Sequence, residues 1–257
     1  MADNNIYGEK CAKVDMDEYY ETNHQERNLA IIFNQKDFFP ETGYTAPRDG
    51  TDKDCDDLER VLNDLSFNVE VYNSETYERI REILKEAARM DHSNKSCIIV
   101  TIMTHGTNEN IYAKNKAFPR KEIWSEFTAD KCPTLKGKPK LFFIQACSGN
   151  QIDMGTTLQQ FDGFECTTKW NFVKNPDFLI VQSSAPGFKS ARHLNKGTIF
   201  IQTLCNKLKS LGSCKDILTI VTYVFQGVAM GFMGKQIPYF TSSLTRMLIL
   251  KPKPMLK

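Results

Sequence analysis

Runs of apolar residues with no helical period punctuate the chain at 29–34 (LAIIFN), 97–104 (CIIVTIMT), 141–144 (LFFI) and 178–182 (FLIVQ), with a half-polar run at 68–72 and a β-prone tail at 239–250. Uniformly apolar runs of that length predict strands buried on both faces, as in a parallel sheet. Between them the period changes. Leu58, Val61, Leu62 and Leu65 recur three and four apart after Thr51, which is placed to cap a helix. Residues 74–90 repeat the pattern with Tyr77, Ile80, Leu84 and Ala87. Two later stripes follow, one of Ile201, Leu204, Cys205, Leu208 and Leu211, the other of Ile217, Ile220, Val221, Val224 and Val228. A shorter helix is predicted over 120–127. Strands alternating with amphipathic helices predict an α/β fold around a mostly parallel sheet of about six strands.

Two stretches break the alternation. Residues 1–27 are polar and charged and read as a flexible arm. From 150 to 176 no period is evident, which is long for a structureless loop inside a compact domain and points to a functional or disordered segment. The organisation expected is an arm at 1–27, a larger region at 28–153, a linker at 154–176 and a smaller region at 177–257.

Composition narrows the setting. With 257 residues and 41% hydrophobic content the chain can bury one substantial core, and a net charge of +2 implies neither nucleic acid nor an acidic surface as partner. The basic stretch 131–140 reads as a solvated loop. The eight cysteines sit in a sequence with no secretory core at its start and no membrane-spanning run, so a reducing, cytoplasmic setting with free thiols is the better inference. No C-x-x-C pair occurs and the histidines are scattered, which argues against a structural zinc site.

The chemistry concentrates at two strand ends. The run 141–149, LFFIQACSG, reads as a buried strand that delivers a thiol, with Gln145 and Cys147 pointing the same way because side chains alternate. A cysteine there is by itself most often an inert small hydrophobe. The run 97–104 ends in the same manner, on His105 and Gly106. Ligands of open α/β sheets sit beyond the carboxyl ends of the strands, so these two ends can bring an imidazole to a thiol, the pair that nucleophilic catalysis needs.

These residues resemble the caspase family, cysteine proteases that cut after aspartate. The family signature Q-A-C, then Arg, Gln or Gly, then Gly is met by Gln145, Ala146, Cys147 and Gly149, with Ser148 departing at the variable position; the likeness runs from Leu29 to Leu250. It implies a three-layer sandwich with helices on both faces of the sheet, Cys147 as nucleophile, His105 as base, and the N–H groups of Gly106 and Cys147 as oxyanion donors. It implies that a backbone carbonyl near Ala46, rather than an acidic side chain, orients the histidine. Arg48, Gln145 and Arg192 would form a cup for a short carboxylate, and Ser190 would pair the substrate backbone.

The family aromatic before the second arginine is Ala191 here, with Lys189 nearby, and a tryptophan lining a further subsite is replaced by Ile199; a wider, less aromatic cleft is expected. The resemblance further implies an executioner-like zymogen with a short prodomain, cut in the linker after Asp162 or Asp153, with Asp162 preferred because glycine follows it. Asp15 or Asp17 would be cut in the arm. It implies a dimer of large and small subunit pairs formed through the last strand, protein substrates with exposed aspartate, an upstream caspase and inhibitor proteins as further partners, and no cofactor, metal, nucleic acid or membrane. Two rivals stand beside it. One is a caspase-shaped protein, weak or inactive in catalysis, that regulates active relatives by dimerising with them; the other is a related fold such as a metacaspase or legumain, which would not need the arginines.

Overall fold

A computed structural model describes residues 18–149, 176–188, 190, 192–193, 196–231 and 235–251. In chain order the elements are β1 (Asn28–Asn34), α1 (Thr51–Asp64), β2 (Phe67–Asn73), α2 (Tyr77–Arg89), β3 (Ile98–Met103), β4 (Asn110–Tyr112), β5 (Ala117–Pro119), β6 (Lys140–Gln145), β7 (Phe178–Gln182), β8 (Arg192–His193), β9 (Gly197–Thr198), α3 (Ile199–Leu211), α4 (Ile217–Gly231) and β10 (Tyr239–Ser242). Six strands form the central sheet in the order β10-β7-β6-β3-β1-β2. Every pairing is parallel except that of β10 with β7.

Alternation along the strands splits their side chains between two cores. Ala30, Ile32, Ile99, Leu141, Phe143, Leu179 and Val181 pack with α1, α3 and α4. Leu29, Ile31, Phe33, Ile98, Val100, Ile102, Phe142, Ile144 and Ile180 pack with α2 and with the turns around Ile123, Trp124 and Phe127. Helices thus cover both faces, and burial on both sides is why the middles of these strands are mostly apolar. The two cores stay distinct because successive side chains of one strand leave the sheet in opposite directions.

Several expectations need correction. Gly50, at φ 85°, occupies the cap of α1 in the left-handed region, where an L side chain is strained. Thr51 is the first helical residue, and its hydroxyl donates to Asn34 Oδ1 at 2.7 Å instead of capping. The helix expected over 120–127 is a 3₁₀ turn, Arg120–Ile123, whose three-residue period turns both end residues inward. The basic stretch is not wholly solvated. Lys140 opens β6 at 2% exposure, with Nζ donating to the carbonyls of Leu135 (3.1 Å) and Lys138 (2.8 Å).

The tail strand is shorter than its β-propensity suggests. It ends at Ser242, because the α3–α4 connection takes over its backbone bonds: Ile217 N–H donates to Leu248 O and Leu250 N–H to Gly212 O. Of the expected arm, residues 18–20 are docked on this tail, where Tyr20 N–H donates to Met247 O (2.9 Å) and Met247 N–H to Glu18 O (2.8 Å), and Glu26 N–H donates to Asn94 O at 3.0 Å. The Tyr20 hydroxyl, on a nearly buried ring, donates to Asp177 Oδ1 at 2.7 Å. No helix among the described residues is long and apolar enough to cross a membrane.

Candidate active site

The register of β3 against β6 pairs Ile102 with Ile144 and Met103 with Gln145. The ladder continues past the strand ends, since Thr104 N–H donates to Gln145 O at 2.9 Å. Continuing that register two residues on sets His105 against Cys147 at the carboxyl rim of the sheet. Both side chains are partly exposed. Gly106 is in contact with the Cys147 backbone: a Cβ built on it would stand 2.7 Å from Cys147 O and 3.0 Å from Ala146 Cβ.

The imidazole is held by aromatic rings. Tyr44 lies parallel to His105, with centroids 3.8 Å apart and an interplanar angle of 3°, and Phe38 tilts against it at 5.0 Å. Tyr112 meets Tyr44 edge-on at 4.9 Å. Burial pushes the Tyr44 phenol pKa up, and the neighbouring Tyr112 and Cys147 push it the same way.

Cys147 meets the chain that follows β7. Ser190 N–H points to Cys147 Sγ at 3.5 Å, with the thiol 3.9 Å from Ser190 O. Gln145, one side-chain alternation before the cysteine, donates from Nε2 to Ser190 Oγ at 2.8 Å, and Gln236 Nε2 reaches the same hydroxyl at 3.1 Å. Gln145 Oε1 is buried with no partner among the described residues. The signature glycine is explained by close approach: a Cβ on Gly149 would stand 2.2 Å from Gly187 O, and the Gly187 N–H donates to Ser148 O at 2.7 Å.

Arg48 is 1% exposed, and its Nη1 donates to Gln35 O (2.8 Å), Met103 O (3.0 Å) and Thr51 Oγ1 (3.1 Å). It therefore stands at the carboxyl ends of β1 and β3, one strand from Gln145. Arg192 lies in β8 with its backbone opposite Thr198. That hairpin is tied to α1 by Asp54, a fully buried carboxylate that accepts the Thr198 N–H on both oxygens (3.0 and 2.8 Å) and Gln202 Nε2 at 2.9 Å. Burial raises the Asp54 pKa, against the pull of its hydrogen bonds from Gln202 and Thr198 and the charge of Arg48. Ile199 opens α3 and is partly buried against the core. Asp15, Asp17, Asp153, Asp162, Lys189 and Ala191 lie outside the described residues.

The structure thus gathers His105, Gly106, Gln145, Cys147 and Ser190 at one rim, with Arg48 beside them. Sequence reasoning missed Tyr44, Phe38, Arg120, Asp54 and Gln236. Arg120 read as the start of a short helix, and nothing in its local pattern marks it as buried. Asp54 has a faint signal, an acidic residue on the apolar side of a helix stripe between Thr51 and Leu58.

A rim of this kind, with a thiol and an imidazole closing adjacent parallel strands, defines a cysteine-peptidase class of α/β protein. A family model for the caspase domain matches residues 27–249. The chain is 42% identical to caspase-1 of Spodoptera frugiperda over 248 residues, covering 91% of this chain and 82% of that one. It is 41% identical to the caspase drICE of Drosophila melanogaster, covering 94% and 76%. Its structure is similar to the crystal structure of the Spodoptera caspase-1 with a TM-score of 0.83 at 40% identity, covering 94% of this chain and 96% of the other. The chain belongs to the caspase family. It is a cysteine peptidase, a hydrolase of the group that cuts after aspartate in apoptotic proteolysis, and nothing observed favours an inactive, purely regulatory protein.

Proposed function

We propose that Cys147 is the nucleophile and His105 its acid–base partner. The reading is carried by the continued β3–β6 register, which sets the two residues opposite each other at the rim. The thiolate attacks the carbonyl of the residue before the cut, and the oxyanion is received by the Gly106 and Cys147 N–H groups. His105 then protonates the departing amine, leaving a thioester that water, activated by the same imidazole, hydrolyses. Parallel stacking on Tyr44 keeps the ring in one plane, so a family of this type can dispense with a carboxylate to orient it.

The substrate carboxylate is taken by Arg48, Gln145 and Arg192. The unpartnered, buried Oε1 of Gln145 supports this. A half-turn of the amide lets Ser190 Oγ donate to Oε1 and frees both Nε2 protons for an incoming acid. A cup of two guanidinium groups and an amide favours a short carboxylate, with Arg48 held in place by its three acceptors. Ser190 then pairs the substrate backbone.

The chain is made as a zymogen in the cytoplasm and is processed in the linker after Asp162 or Asp153 and in the arm after Asp15 or Asp17, into the regions 28–153 and 177–257. The β6–β7 pairing would hold the two products together. Dimerisation uses β10, which among the described residues is paired on one side only, carries the exposed Phe240 and follows the exposed Ile237. Upstream caspases and inhibitor proteins are the remaining partners.

Expression of wild type beside Cys147→Ala, followed by intact-mass analysis, tests self-processing: a linker cut is expected in the wild type alone. Equal masses, together with no preference for Asp over Glu or Lys in a peptide library, would overturn the assignment.

A further inference from the structure

Arg120 is 5% exposed, and its guanidinium sits between the two chains that carry the dyad. Nε and Nη2 both donate to Thr107 O, at 3.1 and 2.6 Å. Nη2 also donates to the carbonyl of Cys147 itself, and Nη1 donates to Gln182 Oε1 at 2.7 Å, at the end of β7. The backbone is fixed as well, since Arg120 N–H donates to Glu109 O at 3.0 Å. All these acceptors are neutral. Burial lowers the guanidinium pKa to about 10 while the neighbouring Tyr239 and Cys147 oppose that shift, so the cation is costly and is retained at neutral pH. A leucine would fill the same volume without that cost. The chain instead spends a buried charge where the histidine loop, the nucleophile and β7 meet.

We infer that Arg120 is a positioning residue: its planar fork clamps the 105–107 loop to the Cys147 carbonyl, and so sets the spacing between the Gly106 and Cys147 N–H groups. Gly106 fits this role, because a Cβ there would stand 2.9 Å from Arg120 Nη2; the loop is drawn as close to the guanidinium as a residue without a side chain allows. The inference rests on the proposed dyad and oxyanion donors. It adds to them a device that no part of the Q-A-C motif contains. The fork's geometry matters beyond its charge, because a lysine ammonium is shorter and cannot reach the Thr107, Cys147 and Gln182 acceptors together.

The test compares wild type, Arg120→Leu and Arg120→Lys as processed enzymes, each quantified by titration with a covalent aspartyl inhibitor so that rates refer to competent sites. A misplacement approaching 1 Å is worth on the order of 10²-fold. Both variants should therefore lose kcat per titrated site by about that factor with KM within about 3-fold, and Arg120→Lys should not rescue. Titration and thermal melting separate this from a general loss of fold, which would lower the number of sites and leave the rate per site alone. Should Arg120→Leu fail to fold, Arg120→Lys decides. Full kcat per site in Arg120→Lys would overturn the clamp, and so would a loss confined to KM. A wild type with no aspartate-directed cleavage would instead overturn the dyad reading on which the clamp rests.

Discussion

Gly106→Ala is the sharpest single perturbation of the proposed site. The added methyl would meet Cys147 O at 2.7 Å, Arg120 Nη2 at 2.9 Å and Ala146 Cβ at 3.0 Å. Ordinary carbon contacts begin near 3.5 Å, so the 105–107 loop or the Cys147 peptide must move by about half an ångström or more. Neither yields easily: one neighbour is backbone, another is a guanidinium bound to three acceptors. Overpacking of this kind costs about 1–3 kcal/mol, and a domain of this size loses roughly 2–4 °C in Tm per kcal/mol. A fall of about 2–12 °C in Tm is therefore expected, measured by calorimetry. The same displacement shifts an oxyanion donor, so kcat should drop on the order of 10- to 100-fold with KM little changed. Steady-state kinetics on an Asp-ending peptide, normalised to titrated sites, reads this. A variant that melts with the wild type and keeps its kcat would refute both the close approach and the oxyanion role.

Three further expectations concern buried ionisable groups. Asp54→Ala releases the Thr198 N–H that anchors the β8–β9 hairpin, so KM for Asp-ending peptides should rise several-fold while Cys147 alkylation by iodoacetamide is unchanged; an unaltered KM would disconnect the hairpin from the pocket. His92 is fully buried with Nε2 2.8 Å from Ala87 O, and burial pushes its pKa below 6.5. The unfolded chain binds the proton first, so the stability it contributes is intact above pH 6.5 and is lost as pH falls towards the folded value. Urea midpoints at stepped pH should show that loss, and His92→Gln should flatten it.

Lys140 is shifted by burial from 10.5 to about 8, and here too the unfolded state holds its proton more tightly. Stability should rise between pH 8 and 10.5, by at most about 3 kcal/mol, and Lys140→Met should abolish that rise. A Met variant with the wild-type alkaline profile would count against it.

Much of this was legible in the chain itself. Strand runs buried on both faces are predominantly apolar, so 29–34, 97–104, 141–144 and 178–182 announced the sheet by composition alone. The helix stripes at 58–65 and 77–87 announced the layers above and below it. His105 and Cys147 were visible because each closes such a run, and Gly149 because it completes the Q-A-C signature. These are local signals, written by the neighbours each residue has in sequence. Arg120, Lys140 and Tyr44 carry no such signal and Asp54 only a faint one: charged or amphipathic side chains are ordinarily solvated, and only packing takes them out of water.

Where a local pattern competed with a tertiary partner, the partner won. Thr51 gave its hydroxyl to Asn34 rather than to a cap. The tail beyond Ser242 left the sheet for the α3–α4 turn, since a backbone donor goes to whichever acceptor the fold brings within reach. The amino-acid sequence alone determined which residues could form strands, helices and a thiol–imidazole pair. Tertiary structure decided which strands lie side by side, and hence that a histidine and a cysteine far apart in the chain share one rim. It also decided which charges are buried to hold them there, because adjacency between distant segments is set by the packing of the whole and is written in no single stretch.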